Sequence, residues 1–208
     1  GVNTVLVKYD SNGNAQWAKS VTGSAFASNC SSVTVDTSGN IYAGGYIQGR
    51  DTYDFGNGVT VAGAADSYSS MLVKYDSNGN AQWAKSVSSS ASDSSFSSVV
   101  IDVSENLYAG GYIQGSGTHG FGNGVTAAGT FGDHNLVLVK YDSNGNAQWA
   151  KSVISGANDS YFYSVDIDAS GNIYTGGFIN GASAYDVGNG IAVAGAADGC
   201  NSMLVKYD

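Results

Sequence analysis

Acid–base, metal and nucleophilic chemistry draw on a short supply of side chains in this sequence. His119 and His134 are its two histidines, fifteen residues apart, and Asp133 stands beside His134. Two imidazoles and a carboxylate are a set that zinc accepts. Without an HxxxH spacing, though, an irregular loop carrying both is expected to leave its histidines in solvent. No G-x-S-x-G elbow, P-loop or H-E-x-x-H run occurs. Gly120-Phe121-Gly122-Asn123-Gly124 imitates a phosphate loop, but no helical pattern follows to aim a dipole at an anion. The expectation is a protein with no catalytic site, no metal site and no cofactor.

Three weaker candidates recur along the chain. Asp10-Ser11-Asn12-Gly13-Asn14 and its copies offer oxygens at alternate positions, like the start of a calcium loop, but Val21 stands where the closing glutamate would be. Asp and Asn side chains that bond nearby backbone amides explain the same residues as ordinary turns, and the loops at Asp36, Asp102 and Asp168 read the same way. Trp17, Trp83 and Trp149, with Tyr42, Tyr108 and Tyr174, are candidate platforms on which a sugar ring could stack. One tryptophan per repeat at a fixed strand position is equally what packing between repeats produces, and that reading is the stronger. Lys8, Lys19 and their copies account for seven of the eight basic residues, at fixed strand positions suited to lysine stems lying over partly buried sheet.

The elements that hold these residues follow from a repeat. LVKYDSNGNAQWAKSV occurs at Leu6 to Val21, Leu72 to Val87 and Leu138 to Val153, spaced by 66 residues, and a fourth copy begins at Leu204. Each copy is two short strands rich in β-branched and aromatic residues, joined by an Asn-Gly turn that tolerates positive φ. A second hairpin follows in each period, as in Ser32 to Asp36, the turn Thr37 to Asn40, and Ile41 to Ile47. The paired glycines Gly44-Gly45, Gly110-Gly111 and Gly176-Gly177 imply a bulge or the close approach of another backbone. A polar insert such as Gln48 to Ser70 is long enough for a further small hairpin. Four principal strands per period, none able to enclose a core alone, predict an all-β, β-propeller-type repeat with four-stranded antiparallel blades and three periods in the chain. A β-helix is the other solenoid to weigh, but its rungs are shorter and need no tight hairpins.

Composition narrows the function. The chain has 208 residues, 30 glycines, no proline, 12% charged residues and a net charge of −9, a field that repels nucleic-acid backbones and anionic lipid surfaces. No stretch approaches the roughly 18 apolar residues of a membrane span, and Gly1 to Thr4 does not read as a signal peptide.

The runs SVTVDTSGNIYAGGYI, DFGNGVTVAG and MLVKYDSNGNAQWAKSV resemble bacterial β-propeller repeats of secreted and cell-surface proteins, with D-x-S-G-N-x-Y, D-F-G and K-Y-D-x-x-G-N-x-x-W signatures. The resemblance covers the whole chain and implies a repeat type rather than an activity. The second period departs from it at Glu105, in place of glycine, and at His119-Gly120, in place of Tyr-Asp. Phased by the resemblance, 1–21 is a partial blade, 32–87 and 98–153 are blades, and 164–208 is a partial blade.

In that phase Cys30 and Cys200 fall at one rim, and a disulfide between them, within a chain or between partners, would clasp the first and last segments in an oxidising compartment. Three periods do not readily close a ring alone, so the resemblance implies that two chains share a six-bladed ring, that this is a piece of a longer array, or that the ends add to neighbours as an open filament. The expected function is a non-catalytic extracellular or cell-surface scaffold that self-associates or takes a partner, with a glycan-binding propeller as the alternative. The inserts Arg50 to Ser70, Ser116 to Asn135 and Ala182 to Ser202 differ most between periods and are the expected seat of partner choice.

Overall fold

A computed structural model describes residues 2–90 and 92–208. The chain opens with a hairpin of β1 (Val5–Tyr9) and β2 (Ala15–Ser20). The first full sheet uses β3 (Ser28–Val35) and β4 (Ile41–Gln48). It breaks off for a small hairpin, β5 (Thr52–Asp54) and β6 (Thr60–Ala62), and resumes with β7 (Tyr68–Tyr75) and β8 (Ala81–Ser86). The second sheet repeats the plan with β9 (Ser94–Ile101), β10 (Leu107–Gln114), the hairpin β11 (Thr118–Gly122) and β12 (Val125–Ala128), then β13 (His134–Tyr141) and β14 (Ala147–Ser152). The third has β15 (Ser160–Ile167), β16 (Ile173–Asn180), the hairpin β17 (Ala184–Gly188) and β18 (Ile191–Ala194), and β19 (Cys200–Tyr207).

Strand order is β3-β4-β7-β8, β9-β10-β13-β14 and β15-β16-β19, antiparallel throughout, so the repeat is a meander and not a wound coil. The four strands expected per period are present in two sheets, and the third lacks its outer strand. The inserts do form hairpins of their own. Among the described residues no helix is long and apolar enough to cross a membrane.

Each inner strand starts four residues earlier than the expected 32, 98 and 164, because a bulge carries it onward. Register slips between Cys30 and Ser32, Phe96 and Ser98, and Phe162 and Ser164. The bulge explains the second glycine of each pair: a Cβ on Gly45, Gly111 or Gly177 would collide with the carbonyl oxygen of Asn29, Ser95 or Tyr161. The first glycine admits the next sheet instead, since a Cβ on Gly44 would lie 2.5 Å from Val99 Cγ1. Both sequence readings of the Gly-Gly pairs therefore hold, one for each glycine.

The apolar cores lie between successive sheets. Tyr42 and Leu72 of the first sheet pack with Phe96, Val99 and Leu107 of the second, and Tyr108, Leu136 and Leu138 of the second with Phe162, Val165 and Ile173 of the third. Leu6 and Trp17 of the leading hairpin pack on Ile41, Ala43 and Val73. Removing such a side chain from water contributes about 1.5–3 kcal/mol, so stacking rather than any single sheet supplies the fold's stability.

Serine hydroxyls fix the stacking distance. Val99 N donates to Ser32 Oγ and Val165 N to Ser98 Oγ, each at 3.1 Å. The amides of Thr4, Ser70 and Leu136 donate to the hydroxyls of Ser28, Ser94 and Ser160 at 3.0, 2.9 and 3.1 Å.

The disulfide expected within the chain is absent. Cys30 and Cys200 are free thiols, one on the first sheet and one on the third, and the whole second sheet stands between them. Bonding would need Cα atoms about 4.4–6.8 Å apart. Cys30 instead packs beside Leu6 and Trp17, where burial pushes its thiol pKa up, and it lies at the position that Phe96 and Phe162 hold in the later sheets. Under native conditions a thiol-reactive chromophore should label the exposed Cys200 quickly and Cys30 only after denaturant is added. Equal labelling rates would contradict this packing.

Candidate functional site

The aspartate-led turns are closed hydrogen-bond systems. Asp36 Oδ1 accepts from the amides of Ser38 and Asn40 at 2.9 and 2.8 Å, and Oδ2 from Asn40 Nδ2 at 2.8 Å and the Tyr42 hydroxyl at 3.2 Å. Asp102 and Asp168 repeat the set with Tyr108 and Tyr174, and Asp10, Asp76 and Asp142 repeat it without the tyrosine. This is the turn chemistry expected, with the carboxylate oxygens already engaged by donors. Glu105, the departure from glycine, takes φ 63° within the turn and still donates its amide to the Asp102 carbonyl at 3.0 Å.

These donors hold all six carboxyls below their ordinary pKa. The Asn14 and Asn80 amides are the main cause at Asp10 and Asp76, and the Asn172 side chain at Asp168. At Asp36, Asp102 and Asp142 burial pushes the pKa up, and the donors outweigh it. A depressed folded pKa means stability that is complete above the unfolded value, about 3.9, and lost as pH falls through the folded values. Thermal midpoints should therefore hold from pH 7 to about 5 and drop below about 4. Asp36→Asn should cost about 1 kcal/mol at pH 7 and flatten that drop. Melts of both proteins across pH 2–7 check it, and an unchanged acid slope would count against the turns as its source.

The histidines part company. His119 is buried, contrary to the solvent exposure expected of it. Its Nε2 lies 3.0 Å from the Gln114 carbonyl and its Nδ1 2.9 Å from Ser90 Oγ. Tyr185 makes the matching bond to Asn180, its hydroxyl donating to that carbonyl at 2.7 Å, so His119 substitutes for a tyrosine that ties the insert hairpin to the end of the second strand. Burial lowers its pKa. His134 is half-exposed, with Nδ1 3.4 Å from Asp133 Oδ1 and its amide donating to Asp159 Oδ1 at 3.1 Å. One ligand atom each from Asp133, His134 and Asp159 lie within 4.8 Å of one another, a juxtaposition across two sheets that sequence spacing could not reveal.

The tryptophans sit at the junctions between sheets. Trp17 Nε1 donates to the Ser77 carbonyl at 3.4 Å and Trp83 Nε1 to the Ser143 carbonyl at 3.2 Å. Each indole thus receives the Asn-Gly turn of the following sheet. Gly79 and Gly145 lie directly against them, and a Cβ on either would come within 3.1 Å of the ring. Lys8 Nζ donates to the same Ser77 carbonyl at 3.0 Å, and Lys74 and Lys140 lie over the rings of Tyr42 and Tyr108 at 4.9 and 5.3 Å. Trp149 meets Tyr108 at a tilt, with ring centroids 6.1 Å apart, but receives no turn, because the third sheet has no outer hairpin.

Sequence reasoning missed a belt of other aromatics near the start of the inner strands. Tyr46 meets Tyr68 at 4.6 Å, Tyr112 meets His134 at 4.4 Å and Tyr161 at 4.9 Å, and Tyr161 meets Tyr163 at 4.9 Å and stacks on Phe178 at 6.2 Å. An aromatic directly after each Gly-Gly pair was the available signal. Elsewhere, an open groove of about 430 Å³ runs between the outer parts of the first two sheets. Of its lining residues only Lys85 is ionisable. Compared with known proteins, the chain matches no family model and no curated protein.

Proposed function

We propose that this chain is a section of a β-propeller-type repeat array acting as a non-catalytic extracellular or cell-surface scaffold, whose two open faces are filled by further sheets of the same kind. The observation that carries the reading is the different burial of equivalent residues. Leu72 and Leu138 are 1% and 0% exposed, whereas Leu204, in the same LVKY run, is 74% exposed. At the other end Val33 is 51% exposed, while its counterparts Val99 and Val165 are each at 5%. The tail face offers Gly176, with nothing within 4 Å of a Cβ built on it, and the head face offers the valine that in the next sheet fills that same space over Gly44. Exposed apolar faces that complement each other favour association head to tail, which closes into a ring or runs on as a filament. Sedimentation of the 208-residue chain should show dimers or longer species at micromolar concentration. A monomer at every concentration would refute self-association.

A glycan-binding role is the second reading, and the aromatic belt supports it better than the tryptophans do. Tyr163 is 61% exposed beside Tyr161 and Phe178, a surface on which a sugar ring could stack. Glycan-array binding lost in Tyr163→Ala but kept in Trp83→Phe would support it.

A further inference from the structure

Asp133 and Asp159 differ from the aspartates that lead the turns. In those turns donors engage both carboxylate oxygens. Asp133 Oδ1 accepts from Gln114 Nε2 at 3.2 Å, and Asp159 Oδ1 accepts from the His134 amide at 3.1 Å. Among the described residues the second oxygen of each receives no hydrogen bond, and neither carboxylate pairs with a lysine or arginine. Two half-buried carboxylates thus flank one imidazole in a chain of net charge −9. We infer that Asp133, His134 and Asp159 are the ligands of a single divalent transition-metal ion of the zinc class, which ties the second sheet to the third.

The repeat separates what the fold needs here from what it does not. Asp159 stands 66 residues after Asp93, and Asp93 Oδ1 accepts from the Tyr68 amide at 3.1 Å just as Asp159 Oδ1 accepts from that of His134. Holding the first residue of a third strand therefore accounts for an aspartate at both junctions. It does not account for the other two ligands. Asp133 and His134 belong to the second period alone, because the first has Ser67 and Tyr68 at these places and the third has Gly199 and Cys200. Only the junction of the second and third sheets carries the full set.

The geometry suits a shared ion better than an ion pair. His134 Nδ1 and Asp133 Oδ1 are 3.4 Å apart, longer than the N–H···O bond of about 2.7–3.2 Å. Two ligands held at about 2.0–2.1 Å on a tetrahedral ion stand about 3.3–3.4 Å apart, which matches that separation. One ligand atom from each of the three residues lies within 4.8 Å of the others, so rotation about an aspartate side-chain bond completes the set. One imidazole nitrogen and two carboxylate oxygens suit zinc and its neighbours, whereas calcium takes about six to eight oxygens. Gln114 supplies the outer hydrogen bond that orients a ligating carboxylate, and Tyr112 meets the imidazole edge-on at 4.4 Å. With three protein ligands in a half-exposed setting, the remaining coordination position goes to water.

Titration calorimetry and thermal melts of the whole chain, with zinc and separately with calcium, test the site in a Cys200→Ser background that removes the exposed thiol. One equivalent of zinc should bind, and zinc at about a hundredfold excess over Kd should raise the thermal midpoint by about 5–10 °C. His134→Tyr and Asp133→Ser follow the first period, so both variants should fold with metal-free midpoints close to that of the parent. Each should weaken zinc binding by more than about 100-fold, and Gln114→Ala should weaken it by about tenfold with metal-free melting unmoved. Absence of zinc binding, or zinc binding that survives in both ligand variants, would overturn the site. Calcium binding as tight as that of zinc would overturn the assignment of the ion.

Discussion

Leu138→Ala should lower unfolding free energy by about 3 kcal/mol, and Leu204→Ala should change it by less than about 0.5 kcal/mol, although both leucines sit in the same Leu-Val-Lys-Tyr run. Leu138 is fully enclosed between the second and third sheets, and alanine there leaves a cavity among Phe162, Val165 and their neighbours. Leu204 faces water from the third sheet, so the smaller side chain forfeits almost no burial. Urea unfolding of the dissociated proteins, compared by midpoint at constant slope, reads the difference. Equal losses would mean that something within the chain already covers the third sheet.

The second large effect belongs to the paired glycines. Gly111→Ala should cost about 3 kcal/mol or more, because the methyl group would meet the Ser95 carbonyl and the Phe96 backbone, and relief requires undoing the bulge that sets the inner strand's register. Gly176→Ala, in the open face of the third sheet, meets nothing and should be close to neutral in the isolated chain. If Gly111→Ala fails to fold, Gly44→Ala gives a graded version, since there the methyl group presses on the Val99 side chain rather than on backbone. The same urea series checks all three, and a neutral Gly111→Ala would contradict the bulge.

What could be read in the sequence was what neighbours along the chain decide. The Asn-Gly and Asp-led turns, the two hairpins per period and the third small hairpin in each insert follow from local preferences at fixed offsets. What could not be read depends on which sheet lies against which. Cys30 lies inside its strand opposite Gly45 and Cys200 at the end of its own opposite Asn180, and local sequence does not show that a complete sheet separates them. His119 breaks the repeat pattern and reads as a loop histidine until its ring is seen doing the work of a tyrosine hydroxyl. The convergence of Asp133 and His134 with Asp159 spans two sheets, and so does the contact of Tyr112 with Tyr161. Leu72, Leu138 and Leu204 make the same point most plainly, because one residue in one repeated run is buried twice and exposed once according to whether a following sheet is present.

Blocking one face at a time and then mixing the blocked chains tests head-to-tail completion most directly. Gly176→Val fills the tail face and Val33→Asp charges the head face, each at a position that the folded single chain leaves open. By analytical ultracentrifugation each variant alone should sediment as a monomer at concentrations where the unaltered chain associates. An equimolar mixture should form a dimer and nothing larger, since only one sound junction remains between the two chains. Association of either variant alone to the same extent as the unaltered chain would contradict the claim that these two faces are what the chain uses to complete itself.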